Sequence, residues 1–282
     1  MSAPDNSGLS LGDLMRVEPT DTADVFVGRT EAYGLLGIYG GHFLGQALAA
    51  GFETVEAPKR AQSFHAYFLK SGDPEARLEY HVTRLREGSG NDIRAIVARQ
   101  NDTDVFHMTA AFKMPEGGDE HQKTMPDVKS ATDVIAARQA RGEPVFPFPV
   151  VKDARVEMEF VSASFRDFDP KDAPALQLWM RVPGGETLNE REAQVAQAFL
   201  SDGTLMFNSV LPYGQAFATH RLTSLDQSVW FHHTANPGNW MLFDQRSIAA
   251  SDGRGMNEGE IYDEGGKHIM TCAQESMLRR IG

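Results

Sequence analysis

Apolar residues return along this chain with two different periods, and the switches between them mark its elements. Over residues 34–55, Leu44, Leu48, Phe52 and Val55 recur at helical spacing, with Gly45 and Gly51 allowing a neighbour to pack closely. Gly40-Gly41 stand at the entry to this helix. Strand-like runs follow at 61–69, 78–82, 92–100 and 105–113. Asn101-Asp102-Thr103-Asp104 marks a hairpin between the last two. Residues 115–126, with Gly117, Gly118 and mixed charges, read as a linker. A short helix at 131–140 lies inside it, and Pro144, Pro147 and Pro149 close it. A second half then repeats the order. It has a strand at 176–180, then a helix entered at Thr187 with Glu190 three residues on, the pattern of a capping box. Strands are predicted at 224–233, 240–250, 255–262 and 267–277, the last two joined by Asp263-Glu264-Gly265-Gly266.

One long helix followed by an antiparallel meander, occurring twice, argues against a parallel doubly wound sheet, which interleaves helices with strands. The fold class expected is α+β, a double hotdog in which two long helices are each wrapped by a curved antiparallel sheet. The division expected is a disordered or loosely attached segment 1–25, an N-terminal hotdog domain 26–114, a linker with a short helix 115–150, and a C-terminal hotdog domain 151–282.

The formal charge of −12 argues against general nucleic-acid binding, because phosphate contacts need a basic face, although local arginines can still hold one anionic ligand. A single cysteine, Cys272, allows no disulfide within the chain and suits a reducing compartment; it reads as a small buried hydrophobe rather than a nucleophile. No apolar run is long enough to cross a bilayer, the first residues lack a basic-then-apolar pattern, and Arg279-Arg280-Ile281-Gly282 is no peroxisomal address. A cytoplasmic location and no membrane partner are therefore expected. Gly-x-Ser-x-Gly, a P-loop and His-Glu-x-x-His are all missing, which disfavours hydrolases with a nucleophile elbow, P-loop NTPases and that class of zinc enzyme.

On the second helix, Val195, Phe199, Asp202 and Met206 fall on one face. An acid in an apolar stripe needs partners if it is buried. The other reading has Asp202 ending the helix before Gly203 with its side chain in water. Ser224 opens a strand, and Gln274 shares a strand face with Cys272 and Ser276. Each is ordinary alone. Brought together, a carboxylate, a hydroxyl and a carboxamide can take a proton from a water molecule and hold it.

The chain resembles the acyl-CoA thioesterase II family of double-hotdog enzymes. In the first half the likeness is carried by Gly40-Gly41-His42-Phe43-Leu44-Gly45-Gln46-Ala47-Leu48, Ser63-Phe64-His65-Ala66-Tyr67-Phe68-Leu69 and Glu120-His121-Gln122-Lys123-Thr124-Met125-Pro126. In the second it is carried by Phe199-Leu200-Ser201-Asp202, Leu225-Asp226-Gln227-Ser228-Val229-Trp230-Phe231-His232, Arg254-Gly255 and Gln274-Glu275. The resemblance implies acyl-CoA hydrolysis, with Asp202 as general base and Ser224 and Gln274 positioning the water. Where threonine is common in that family this chain has Ser224, and where Ser-Phe-Ser is frequent it has Gly90-Asn91-Asp92. No cofactor and no metal are expected, coenzyme A being part of the substrate. His232-His233 point to opposite faces of a strand and do not make a metal site.

Gly40 and Gly41 are candidates for polarising the thioester carbonyl through free backbone N–H groups at a helix start. His65 is a candidate for substrate binding or, alternatively, a core histidine bonded to backbone. Arg84, Arg86, Arg94 and Arg254 are candidates for the phosphates of coenzyme A, against the reading that they are solvated strand ends. A homo-oligomer, dimer or tetramer, is expected because hotdog sheets leave edges that pair. Two other functions fit the same plan. One is an enoyl-thioester hydratase or dehydratase using His65 with Asp226, and the other is an acyl-CoA-binding module without catalysis.

Overall fold

Along Asn91–Gln100 every second side chain, from Asp92 to Gln100, is buried, and this two-residue alternation extends through most of the sheet. The computed structural model describes residues 6, 8–33, 37–144, 155–161, 175–214 and 216–281. In chain order they form α1 (Leu11–Met15), β1 (Val17–Pro19), β2 (Val25–Gly28), α2 (Gly40–Phe52), β3 (Arg60–Phe68), β4 (Leu78–Arg86), β5 (Asn91–Gln100), β6 (Thr103–Lys113), α3 (Ala131–Ala140), β7 (Glu157–Phe160), β8 (Ala175–Arg181), α4 (Glu190–Ser201), β9 (His220–Ser224), β10 (Asp226–Phe231), β11 (Met241–Ser251), β12 (Arg254–Asp263) and β13 (His268–Arg280).

The strands make one sheet in the order β1-β2-β4-β5-β6-β3-β10-β13-β12-β11-β8-β7, with β9 also pairing β13. The two halves join where β3 runs antiparallel to β10, Ser63 opposite Trp230 and Tyr67 opposite Asp226. The α2 and α4 helices pack on each other against the inner face. Their close approach requires glycine. A Cβ on Gly45 would stand 2.5 Å from the Met15 sulfur and 3.4 Å from the Val195 carbonyl, and one on Gly41 would collide with the Phe199 carbonyl. The core draws on both halves, including Phe43, Phe64, Phe199 and Met270. This is the double-hotdog plan expected from the sequence.

Local chemistry moves several predicted boundaries. The first helix starts at Gly40, so the glycine pair forms its first turn; the predicted start at Gly34 lies outside the described residues. The second helix is capped by Asn189, not Thr187. The Asn189 side chain accepts from the N–H of Glu192, whose carboxylate accepts from the N–H of Asn189. The same spacing occurs twice, two residues apart, and the earlier copy is used differently. Gly184 at φ 79° starts a 3-10 turn whose Thr187 hydroxyl donates to the Gly184 carbonyl, and Leu188 is extended. The β5–β6 hairpin turns at Asn101 and Asp102, both at positive φ, a conformation asparagine and aspartate tolerate.

Much of 1–25 is tied down. Ser10 caps α1, and Leu11, Leu14 and Met15 are buried in the main core, because three apolar side chains in five residues have a helix face to cover. The linker is also docked. Trp179 donates its indole N–H to the Lys129 carbonyl, Lys123 pairs with Glu260 at 2.7 Å, and α3 covers Trp179, Trp240 and Tyr262. Pro147 and Pro149 lie outside the described residues.

Candidate active site

Asp202 ends α4 as its C-cap residue, and its side chain turns inward rather than to water; the residue is only 4% exposed. Three elements converge on its carboxylate. The Ser224 hydroxyl, at the end of β9, donates to Oδ1 at 3.0 Å. The Gln274 carboxamide, in the middle of β13, donates to the same oxygen at 2.5 Å. The Gly41 N–H, in the first turn of α2, donates to the carboxylate as well. Burial penalises the charged form and raises the pKa from its ordinary 3.8 to about 7, with the three donors opposing that rise. Met206, expected on the same helix face, lies in a separate 3-10 turn, Leu205–Ser209, near the Ser224 hydroxyl.

A bulge makes the convergence possible. Ser224 and Gln227 are three residues apart, so on a regular strand they would face opposite sides. Ser224 pairs with Ser276, but Ser228 pairs with Ala273, a shift of one residue centred on Leu225. Buried positions accordingly run His220, Leu222 before the shift and Gln227, Val229 after it. The single strand expected at 224–233 is therefore two, with Ser224 and Gln227 on the helix side of both. Gln227 accepts from the Gln274 amide at 2.8 Å and donates to the Ser201 hydroxyl at 2.6 Å.

A cavity of about 370 Å³ opens onto the carboxylate, walled by Tyr39, Phe43, Phe68, Met206 and Leu225, with Lys70 as its charged member besides Asp202. The corresponding end of α2 is built differently. Its C-cap, Glu53, is exposed, and Phe52 and Phe112 pack beneath it with ring centroids 4.9 Å apart. The two helix ends are thus unlike in chemistry, and the buried acid belongs to the second half.

The other candidates divide. Gly40 borders the cavity, but Gly41 does not offer a free N–H, because Asp202 engages it. His65 is exposed on the outer face of β3, bonded through Nδ1 to the Ser228 hydroxyl at 2.9 Å. It is neither a core histidine bonded to backbone nor a cavity residue, because strand alternation turns it away from Phe64 and Ala66. Asp226 accepts from the Glu275 N–H at 3.0 Å, so the hydratase pair of His65 and Asp226 is not assembled. Arg94 is no phosphate ligand. It is 1% exposed and donates to the Thr54 hydroxyl, the Thr54 carbonyl and the Arg86 carbonyl. Arg84 is held by Asp24 and Glu87, and Arg254 by Glu275. Arg86 is exposed at the end of β4. None of the four arginines lines the cavity. Lys70, Tyr39 and Gln227 are the residues that sequence reasoning passed over. Lys70 directly follows the family-like segment ending at Leu69, and Gln227 lies inside the family-like segment that begins at Leu225, so position was their available signal. Cys272 is buried, its thiol donating to the Gly259 carbonyl, and burial raises its pKa.

Comparison with known proteins adds to this geometry. Residues 28–113 match the model of an acyl-CoA thioesterase N-terminal domain, and residues 124–278 that of an acyl-CoA thioesterase C-terminal domain. The chain is 30% identical over 277 residues to acyl-CoA thioesterase 2 of Haemophilus influenzae, covering 94% of this chain and 96% of that one. It is 28% identical over 281 residues to human acyl-coenzyme A thioesterase 8, covering 94% and 88%. An acyl-CoA thioesterase II structure from Mycobacterium marinum superposes with a TM-score of 0.79 at 25% identity, covering 95% of this chain and 98% of that one. A hot dog fold protein of unknown function from Alicyclobacillus acidocaldarius shares the fold, with a TM-score of 0.78 at 20% identity over 96% and 98% of the two chains. With both family models matched in order across the two halves of one continuous sheet, the chain belongs to the acyl-CoA thioesterase family of double-hotdog proteins.

Proposed function

We propose that this family member hydrolyses acyl-CoA thioesters to a carboxylic acid and coenzyme A, with Asp202 as general base and Ser224 and Gln274 holding the attacking water. The observation that carries this reading is one buried carboxylate, with a pKa about 7, receiving both the Ser224 hydroxyl and the Gln274 amide on a single oxygen. A base poised near neutrality is unprotonated for a useful fraction of the time and still basic enough to accept a proton from water. Gln274 adds a second feature. Its Oε1 is a buried acceptor without a partner among the described residues, suited to a water molecule.

In this reading the acyl chain lies along Phe43, Phe68 and Met206, with the thioester carbonyl near the start of α2. Water adds to the carbonyl carbon as Asp202 takes its proton, giving a tetrahedral oxyanion. The N-terminal end of α2 stabilises that charge through the helix field, with Gly40 nearest the cavity, while the Gly41 N–H stays with Asp202. Collapse breaks the C–S bond, and the departing thiolate takes the proton back from Asp202. No enzyme nucleophile is used, so no covalent intermediate forms.

No helix among the described residues is long and apolar enough to cross a membrane. A cytoplasmic location and a homo-oligomer belong to the same reading, the oligomer supported by Tyr67, Leu69 and Trp230, which stand exposed at the joint of the two halves.

The test is release of free thiol from short, medium, long and aryl CoA esters by the purified protein. Asp202→Asn is expected to lower kcat about 10²- to 10⁴-fold with the fold intact. Full turnover by that variant excludes Asp202 as the base. Hydration of crotonyl-CoA without thiol release would favour the hydratase instead.

A further inference from the structure

The hydrogen bonds behind Asp202 form a chain whose direction is fixed at both ends. The Ala198 carbonyl can only accept, so the Ser201 hydroxyl spends its one proton there, at 2.8 Å. Ser201 can then only accept from Gln227, which must present its NH2 at 2.6 Å. The carbonyl of Gln227 therefore faces Gln274, which must present its own NH2 at 2.8 Å. From the other end, the Asp202 carboxylate also demands a donor from Gln274. Both arguments orient the Gln274 amide the same way and leave Oε1 as its open acceptor.

The charged Asp202 enforces this orientation, but the protonated acid can donate to a carbonyl and then no longer does. Were the Gln274 amide rotated by half a turn at that point, its carbonyl would face the acid, and its NH2 would occupy the place of Oε1. Gln227 removes that alternative, because its carbonyl would then meet the Gln274 carbonyl. Gln227 and Gln274 are each fully buried, as is Ser201, so water does not compete for these bonds. The anchor is backbone of α4, the helix that Asp202 terminates, so the base and the amide that serves it share one rigid support.

We infer that Gln227 is a positioning residue for the hydrolysis, acting through Gln274 by fixing the orientation of its carboxamide relative to Asp202, with Ser201 as the anchor. The inference rests on the reading of Asp202 as base and Gln274 as a water-holding group. Gln227 touches neither substrate nor water. It determines which face Gln274 shows them.

The experiment is a double-mutant cycle read in kcat, KM and the pH dependence of kcat/KM. Gln227→Leu is expected to lower kcat about tenfold or more, with KM changed less than about twofold. Its acidic limb should move to higher pH, because a rotated Gln274 carbonyl beside Asp202 disfavours the carboxylate. In a Gln274→Ala background the same substitution should change kcat by less than about twofold, since the group it acts through is gone. Ser201→Ala, a smaller change one link further out, should reproduce the pattern more weakly, and it carries the test if Gln227→Leu fails to fold. Losses that multiply in the double variant, or full activity in a folded Gln227→Leu or Ser201→Ala protein, overturn the positioning role. Full turnover in Asp202→Asn would sink the base assignment alone, because the coupling between the two glutamines is measured independently of it.

Discussion

Gln274 Nε2 stands 2.5 Å from Asp202 Oδ1, joining residues 72 positions apart in the chain, and this contact ties the last strand to the end of the second helix. A carboxylate so buried would ordinarily be neutral at physiological pH. Donors from Gln274, Ser224 and Gly41 bring it back to the point where both forms are populated near neutrality.

The first consequence is kinetic. The kcat/KM of the hydrolysis should fall on the acid side with an apparent pKa about 7, that of Asp202 in the enzyme without substrate, and should level off above it. Measuring kcat/KM with one CoA ester over a range of pH checks this. A limb near the ordinary carboxylate value would show Asp202 to be more solvated than its burial indicates.

Ser224 tests the same balance from one side. Ser224→Ala removes an O–H donor from Oδ1, so the acidic limb should rise further and kcat should drop about 10- to 100-fold. Ser224→Thr retains the hydroxyl and should keep most of the activity. If Thr is as poor as Ala, the bulge at Leu225 is too tight for the extra methyl.

What could be read from the sequence, and what could not, follows from the range of the interactions involved. The double helix-then-meander order, the hairpin at Asn101-Asp102 and α3 were all legible, because each depends on periodicity or on a turn within a few residues. The start of α4 was missed by two residues because the capping spacing is present twice, and the choice belongs to the turn at Gly184. Asp202, Ser224 and Gln274 were named from a resemblance. Gln227 sits in a family-like segment, but nothing in that segment sets its inward orientation, which depends on a bulge created by two pairings with a strand some 50 residues on. Arg94 misled in the opposite way. Its alternation placed it correctly on the strand, but a buried guanidinium that donates to the Thr54 and Arg86 carbonyls cannot be told from a ligand-binding one without the neighbouring chain.

The two glycines at the start of α2 should separate activity from stability. A Cβ on Gly40 would stand 2.5 Å from Asp202 Oδ2 and 2.9 Å from the Phe68 ring, both side-chain atoms at the cavity. Gly40→Ala should therefore lower kcat/KM about tenfold or more by displacing the carboxylate, with little change in Tm. A Cβ on Gly41 meets the Phe199 backbone carbonyl and the Tyr39 ring, so Gly41→Ala forces the helices apart and should destabilise the fold by about 1–3 kcal/mol. Thermal melting alongside thiol release distinguishes the two. Equal losses of stability would mean that Asp202 cannot move aside.

The raised pKa of Asp202 also makes a prediction about stability, with a definite sign. The folded protein holds a proton on this group up to about 7, whereas the unfolded chain releases it near 3.8, so between those values the folded state binds more protons. Stability therefore declines as pH rises through that window and is flat above it, the charged form being the less favourable one to bury. Over about three units the effect approaches 4 kcal/mol as an upper bound. Asp202→Asn does not ionise and escapes it. The Asn variant should melt above the wild type at about pH 8, and the gap should close as pH falls towards about 4. The comparison is a pair of melting curves at each pH. A gap of constant size across the range would mean that Asn stabilises by packing or hydrogen bonding instead, and a variant less stable at about pH 8 would mean that the three donors together outweigh the burial of the charge.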